Sequence, residues 1–556
     1  MKKTIISILL CALLALSSCG GQTGEATAPA GGAASSGDTA ASAVSVLDTA
    51  SLFSDRDLEG TWDESEAVAI HLSGDTAACD SDGVSIDGGQ ITIGAEGVYL
   101  LSGTLTDGQI VVNAGENDKV QLVLSGADIT SSTSAAIYAL EADKVFLTLA
   151  EGTENALANG GEYVAIDENN IDAVIFSKTD LTLNGSGSLT ITAPAGHGVV
   201  SKDELTVTGG SFAIDAASHG LDGKDSVAIA GGTFAITAGK DGIHAENSDD
   251  VSLGTLYIAG GSFTIAAQGD AVSAQGALQI DGGTFDLTTG EGSESVDMTS
   301  GDSVMPGAGG PWGGEDPAGG TAATETEEES VSQKGIKGEN TFVINGGAFT
   351  VDSADDCLHA GGAMTLAAGE FTLSSGDDAI HCDDALTILS GSFTIPYCYE
   401  GVEGLSITIE DGAFAITSTD DGLNAAGGAD SSGFGGFGGR PQDTFAADSD
   451  SFITISGGTF TVVSTGDCID SNGPLTVNGG TLDLTCNGSG NTALDCDGTY
   501  ANNGGTVTTN DGSENNPGQM GGGMGGGRQG GAEERPSGQG QPGGTPPDGQ
   551  GQPPAA

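Results

Sequence analysis

A short phrase, Gly-Gly-[Ser/Thr]-Phe or a close variant, recurs along the second half of the chain. Its spacing constrains the fold more than any other feature. Aligned on the aromatic residue, it gives Phe212, Phe234, Phe263, Phe285, Phe349, Phe371, Phe393, Phe414 and Phe460, with Leu482 in the same slot. Six of the nine intervals are 21 or 22 residues, and the other three (29, 64 and 46) are lengthened by insertions. A fixed period of this length marks a solenoid, in which each repeat buries its apolar face only by stacking on its neighbours.

Apolar residues fall at −7, −5, 0, +2 and +9 from each Phe, as Met364, Leu366, Phe371, Leu373 and Ile380 show. Spacing by two indicates short strands with one buried face. The +1 residue (Thr372, Thr394, Ala415) is solvent-facing, and glycines at −3 and −2, such as Gly346 and Gly347, supply a corner. Three short strands per 22 residues predict an all-β, right-handed parallel β-helix of about 22 residues per coil. The pattern fades before Phe212 but persists, with Lys178, Lys202 and Lys224 at spacings of 24 and 22. It predicts coils from about Val84 to about residue 510. The nine-residue calcium-binding β-roll is excluded by the period and by its missing glycine signature.

The N-terminus, MKKTIISILLCALLALSSC, has two lysines, an apolar run of signal length and small residues before Cys19. The run is too short for a comfortable membrane span, and Leu16-Ser17-Ser18-Cys19 matches a lipobox with Cys19 as the lipidated residue. An ordinary secretory signal is the alternative. The expected organisation is a lipoprotein signal at 1–19, a flexible linker at 20–50 and a β-helix domain at 51–515. Glycine-rich inserts interrupt the helix at 293–333 and 425–448, and a disordered tail occupies 516–556. The expected location is the extracellular face of the cell membrane, held through the N-terminal lipid alone, with a monomeric body.

The formal charge of −64, from 78 acids and 14 bases, excludes nucleic acid and anionic lipid as electrostatic partners. Seven cysteines follow the leader, too scattered for a disulfide scaffold and without a CxxC pair, so several read as small apolar fillers.

The acids are not scattered. Position +7 reads His219, Asp241, Asp270, Asp356, Asp378, Glu400, Asp421 and Asp467; position +10 reads Asp222, His244, Ser273, His359, His381, Glu403, Asn424 and Asp470. Position +6 adds Asp355, Asp377 and Asp420. Equal offsets in stacked coils lie about 4.8 Å apart, where two carboxylates repel by about 3–4 kcal/mol at an effective dielectric near 20. A hard cation with six to eight oxygen ligands relieves that repulsion. Asp355, Asp356, Asp377, Asp378, Glu400, Asp420, Asp421 and Asp467 are therefore candidate calcium ligands on a surface edge. An Asx-type turn accounts for a single Asp at +7, but less well for the doubled acids.

One coil departs from the pattern. Counting back from Phe349 puts Lys334 at +7 and Lys337 at +10, as if a fixed cation replaced a bound one; either could also meet a ligand carboxylate. Lys240, Lys334, Lys337, His359 and His381 are candidate substrate contacts. The histidines at +10 (His244, His359, His381) also raise a zinc reading, a lesser one because thiolates are scarce around them.

The stretches GVYLLSGTLTDGQI…LTLAEGTENAL (97–157) and FSKTDLTLNGSGSLTI (176–191) resemble a clostridial family of extracellular cellulose- and pectin-binding proteins, carbohydrate-binding domain-containing proteins. The resemblance spans roughly residues 55–510. It implies a right-handed parallel β-helix like that of pectate lyases, calcium on its surface, and affinity for polygalacturonate without established catalysis. The ligands named above come from the repeat, not from the resemblance. The expected function is calcium-mediated binding of an acidic polysaccharide, with cellulose as a further candidate. A calcium-dependent lyase and a non-catalytic adhesin are the alternatives. A lyase needs a base beside the metal, and Lys240 is the best of few candidates.

Overall fold

The computed structural model describes residues 43–296, 298, 332–426 and 450–517. Cys19, most of the linker, most of both inserts and nearly all of the tail lie outside them. The described residues form a nearly all-β structure of parallel coils, in agreement with the repeat.

Three parallel ladders run along the helix. The first joins the −7/−5 strands, with Leu278, Phe342, Met364 and Leu386 in register. The second joins the six-residue strands that carry the phenylalanines, with Phe285, Phe349, Phe371 and Phe393 in register. The third joins the +9 strands, with Ile336, Leu358 and Ile380 in register. Parallel pairing starts earlier than Val84, at strand Val68–Gly74, which aligns with Gly97–Leu105. Two antiparallel hairpins lie at this end, Val68–Gly74 with Thr76–Cys79 and Val84–Asp87 with Gln90–Ile93.

The phenylalanines from Phe212 to Phe460 stack in one column, with ring centroids 4.5–5.3 Å apart and planes within 14°. Each ring sits against the glycine two residues before it. Gly369 holds φ at +144°, and a Cβ there would meet the Phe371 ring at 2.7 Å. The glycine thus supplies both the corner and the room for the ring. Cys357, Cys382, Cys398, Cys468 and Cys486 are free thiols buried in the interior.

The end of the expected linker is docked. Residues 44–61 run as a strap along the outer face of the first ladder. The Val44 amide donates to Asn345 Oδ1 (2.8 Å), and the Val46 amide to Gln279 Oε1 (3.0 Å). Phe53 then packs against Tyr257, centroids 6.0 Å apart. The short helix Asp55–Leu58, capped by Ser54, places Asp57 against Lys144 (2.8 Å) and Thr182 (2.6 Å). The strap ends where Gln121 donates to the Thr61 carbonyl (3.1 Å). Outward side chains beneath it, including Thr182, Thr206 and Gln279, are accordingly buried.

Candidate functional site: two columns of acids

The acidic columns follow the chain from the second ladder into the third. An unbroken series of main-chain bonds crosses position +7: the residue after each +7 position donates to the +7 carbonyl of the following coil. The donors Gly335, Cys357, Ala379, Gly401 and Gly422 bond to Asp356, Asp378, Glu400, Asp421 and Asp467. Side chains repeat the pattern. Oδ1 of each +7 aspartate accepts the amide of the next +7 residue: Asp241 from Asp270 (2.8 Å), Asp356 from Asp378 (3.0 Å), Asp378 from Glu400 (3.1 Å) and Asp421 from Asp467 (2.6 Å). One oxygen of each of these carboxylates is thus spent on holding the stack, and the other oxygen of Asp241, Asp356 and Asp378 faces a histidine or Lys334.

The expectation of a surface column needs correcting. Asp356, Asp378, Glu400, His359 and His381 are all buried, at 1–7% exposure. Stacked coils cover each group above and below, and the start of the first insert lies alongside. Ser293 donates from its amide to Asp352 Oδ1 (2.7 Å), and Met298 Sδ lies 3.4 Å from Thr419 Oγ1.

The columns divide by the source of their counter-charge. In the first part the chain supplies its own. Lys334 Nζ, itself buried, lies 2.7 Å from Asp356 Oδ2 and 3.0 Å from Asp355 Oδ1. His359 Nδ1 lies 2.9 Å from Asp356 Oδ2. Burial alone would raise Asp356, but Lys334 and the two histidines hold it well below the usual carboxylate range. Lys337 pairs with Glu339 at 2.6 Å, and Lys240 is exposed beside Asp241. His381 is enclosed by three carboxylates, Glu403 (2.9 Å), Asp383 (3.1 Å) and Asp378 (3.2 Å), which outweigh its burial and raise it well above the usual imidazole value.

Beyond His381 the built-in cations stop. From Glu400 to Asp470 the described residues include no Lys, Arg or His. Burial, with Glu403, Asp378 and Asp421 nearby, pushes Glu400 well above its usual range. Burial and the neighbouring acids push Asp421 up to about 9, Asp470 to about 7 and Asp467 to about 6. Glu400 Oε1 accepts from Asn424 Nδ2 (3.2 Å), yet Glu400 Oε2 and Asn424 Oδ1 are both buried without a hydrogen-bond partner. Orphaned buried acceptors cost about 1–3 kcal/mol each, more for a charged group. An oxygen-only set with unused lone pairs fits a hard divalent cation and offers nothing to a soft one.

Among the described residues, four groups bring potential ligand atoms within 4.8 Å of one another: His219–Asp241–His244, Asp355–Asp356–Asp377, Asp378–His381–Glu403 and Asp467–Asp470–Asp495. Of the predicted metal residues, the second group gathers three, while Asp378 and Asp467 join residues outside the predicted set. Glu403 and Asp470 were legible as +10 positions. Asp495 falls where the repeat has lost its Phe, and only the pair Asp495/Asp497 hints at it.

Parallel coils stacked in register, with carboxylates repeated along one flank, place the protein among the parallel β-helix solenoids. The sequence profile of the carbohydrate-binding domain-containing protein family matches residues 87–379 and 377–519. The chain belongs to that family. A protein of the same description from Acetivibrio thermocellus is 34% identical over 218 residues, 39% of this chain and 66% of that relative's length. Among solved structures, the polysaccharide lyase-like protein from C. thermocellum, a gadolinium derivative, is similar at 35% identity and a TM-score of 0.39. That match covers 40% of this chain and 92% of the other.

Proposed function

We propose that the protein binds an acidic polysaccharide of the polygalacturonate type through calcium ions seated in the cation-free part of the columns. Glu400, Glu403, Asp420, Asp421, Asp467 and Asp470 would hold the ions, with Asp377 and Asp378 at the border. Asp355 and Asp356 already have Lys334, which favours seating the ions in the later coils. The observation that carries the reading is the pair of buried, unpartnered oxygens, Glu400 Oε2 and Asn424 Oδ1, among acids of which only Glu403 and the bordering Asp378 are bonded to a described basic side chain, His381. Charge supplies the second reason. A body at −64 repels a polyuronate unless divalent ions bridge the two.

Binding without cleavage is the favoured activity. Two of the three lysines in or beside the columns are already paired with acids, which leaves Lys240 as the remaining base. A lipid on Cys19 would keep the protein on the outer face of the membrane, and Cys19→Ala should then release it.

The test is a glycan array probed with and without chelator, beside calcium titration of the parent and of Glu400→Gln/Asp421→Asn. Calcium-dependent retention of uronates, lost in the double variant while its melting profile persists, is the expected result. Equal binding in chelator, or calcium uptake unchanged in the variant, would refute the proposal. Release of unsaturated product, seen as ultraviolet absorbance, would convert the reading to a lyase.

A further inference from the structure

Four of the six histidines lie in the two columns; His359 stacks on His381, and His197 joins His219 and His244 in a second stack. His197, His219 and His244 have ring centroids 5.0 and 4.3 Å apart. Two of these converge on one carboxylate. His219 Nδ1 lies 3.3 Å from Asp241 Oδ2, and His244 Nε2 lies 3.8 Å from the same oxygen. Glu246 Oε2 is 3.3 Å from His244 Nε2. A tetrahedral zinc with bonds of about 2.0–2.1 Å places its ligand atoms roughly 3.3–3.5 Å apart, so these contacts are already close to its dimensions.

Two further features point to a metal. The other ring nitrogen of His244, Nδ1, lies 3.1 Å from Asp222 Oδ1. This is the carboxylate support that fixes a metal-binding imidazole in its ligating tautomer. His219 Nδ1 accepts the Asp241 amide at 3.2 Å, so that nitrogen carries a lone pair rather than a proton. It therefore cannot also donate to Asp241 Oδ2, and two acceptors face each other across 3.3 Å. A cation between them turns that opposition into coordination, at the cost of the one amide bond.

We propose that His219, Asp241, His244 and Glu246 form a site for a borderline divalent transition ion, zinc foremost, with Asp222 as its supporting carboxylate. The column would then sort metals along its length: imidazole nitrogen selects zinc, cobalt or nickel at this end, and oxygen alone suits calcium beyond Glu400. The site extends the reading of the columns as cation-binding but needs neither calcium nor glycan.

The experiment titrates the full chain with Zn2+ and Co2+ in excess calcium, by calorimetry and by visible absorption. One equivalent should bind, with Co2+ giving the intense d–d bands of tetrahedral nitrogen–oxygen coordination. Asp222→Asn should weaken binding by about 10–100-fold. Glu246→Gln, at an exposed position that cannot unfold the coil, should also weaken it and alter the Co2+ spectrum. Glu400→Gln/Asp421→Asn should leave zinc binding unchanged, and Glu246→Gln should leave calcium binding unchanged. Absence of zinc uptake by the parent overturns the proposal. So does uptake that survives His219→Ala and His244→Ala in folded variants, since the ion would then sit elsewhere, for instance at His359 and His381.

Discussion

Replacing Lys334 with alanine removes a lysine ammonium bonded to both Asp355 and Asp356, and its cost can be bounded from the geometry. At 2.7 and 3.0 Å from the two carboxylates, the gross attraction is about 6 kcal/mol to each at an effective dielectric near 20. Much of this is offset by the cost of burying the ions. What remains on breaking such a pair is the penalty of a stranded charge, typically about 3–5 kcal/mol. Asp356, 1% exposed, has no route to water. Lys334→Ala should therefore lower stability by about 3–5 kcal/mol in urea titration at neutral pH in chelator. The sign with pH follows from Asp356, whose folded value lies below its unfolded one. Its contribution is present above the unfolded value and is lost as pH falls through the folded one, so the deficit should shrink in acid. Calcium should recover part of the loss, because Asp355, Asp356 and Asp377 bring oxygens within 4.8 Å of one another. A cost below about 1 kcal/mol, within the range of exposed pairs, would refute the view that Lys334 stands in for a bound cation. Recovery by potassium as complete as by calcium would do the same.

Stability in chelator should fall as pH rises from about 4 to 9. Burial and neighbouring acids lift Asp467, Asp470 and Asp421 to about 6, 7 and 9, above their usual 3.8, so the folded state holds protons the unfolded state has released. Calcium should flatten that slope, and melting curves across pH with and without it decide the matter. Phe371→Ala, which empties a slot between Phe349 and Phe393, should cost about 3–5 kcal/mol by chemical denaturation. Asp57→Ala strands Lys144 and should cost about 3 kcal/mol or more, with faster amide exchange confined to residues 44–61 and the strands beneath them.

The coils were legible because burial along them is periodic. Residues at −7, −5, 0, +2 and +9 must be apolar in every repeat, and Phe349, Phe371 and Phe393 stack as that periodicity requires. The position of Lys334 was equally legible, since counting offsets is enough to place it in the column. The burial of Asp378 and Glu400 was not. Composition marks an acid as solvated, and nothing local reveals that stacked neighbours bury it. The use of one carboxylate oxygen on the next coil's amide was also hidden, because an Asx turn and an interchain-like ladder need the same residue. The strap was missed because residues 44–61 carry no repeat. They are held by single side chains such as Asn345, Gln279 and Asp57, each unremarkable in sequence.

That strap changes how the body would respond to force. In a bare solenoid each coil touches only its neighbours, so tension on one end opens coils one at a time. Here the chain preceding the helix leaves from Val44, bonded to Asn345 some 301 residues away in sequence. Tension drawn through residue 43 would enter at mid-body, not at the hairpins near Val68. It would peel Val44, then Val46, then Phe53, and reach the buried Asp57–Lys144 pair only afterwards. The first coil would feel load last, so the strap serves as a sacrificial seam that yields in steps while the stack of coils stays closed.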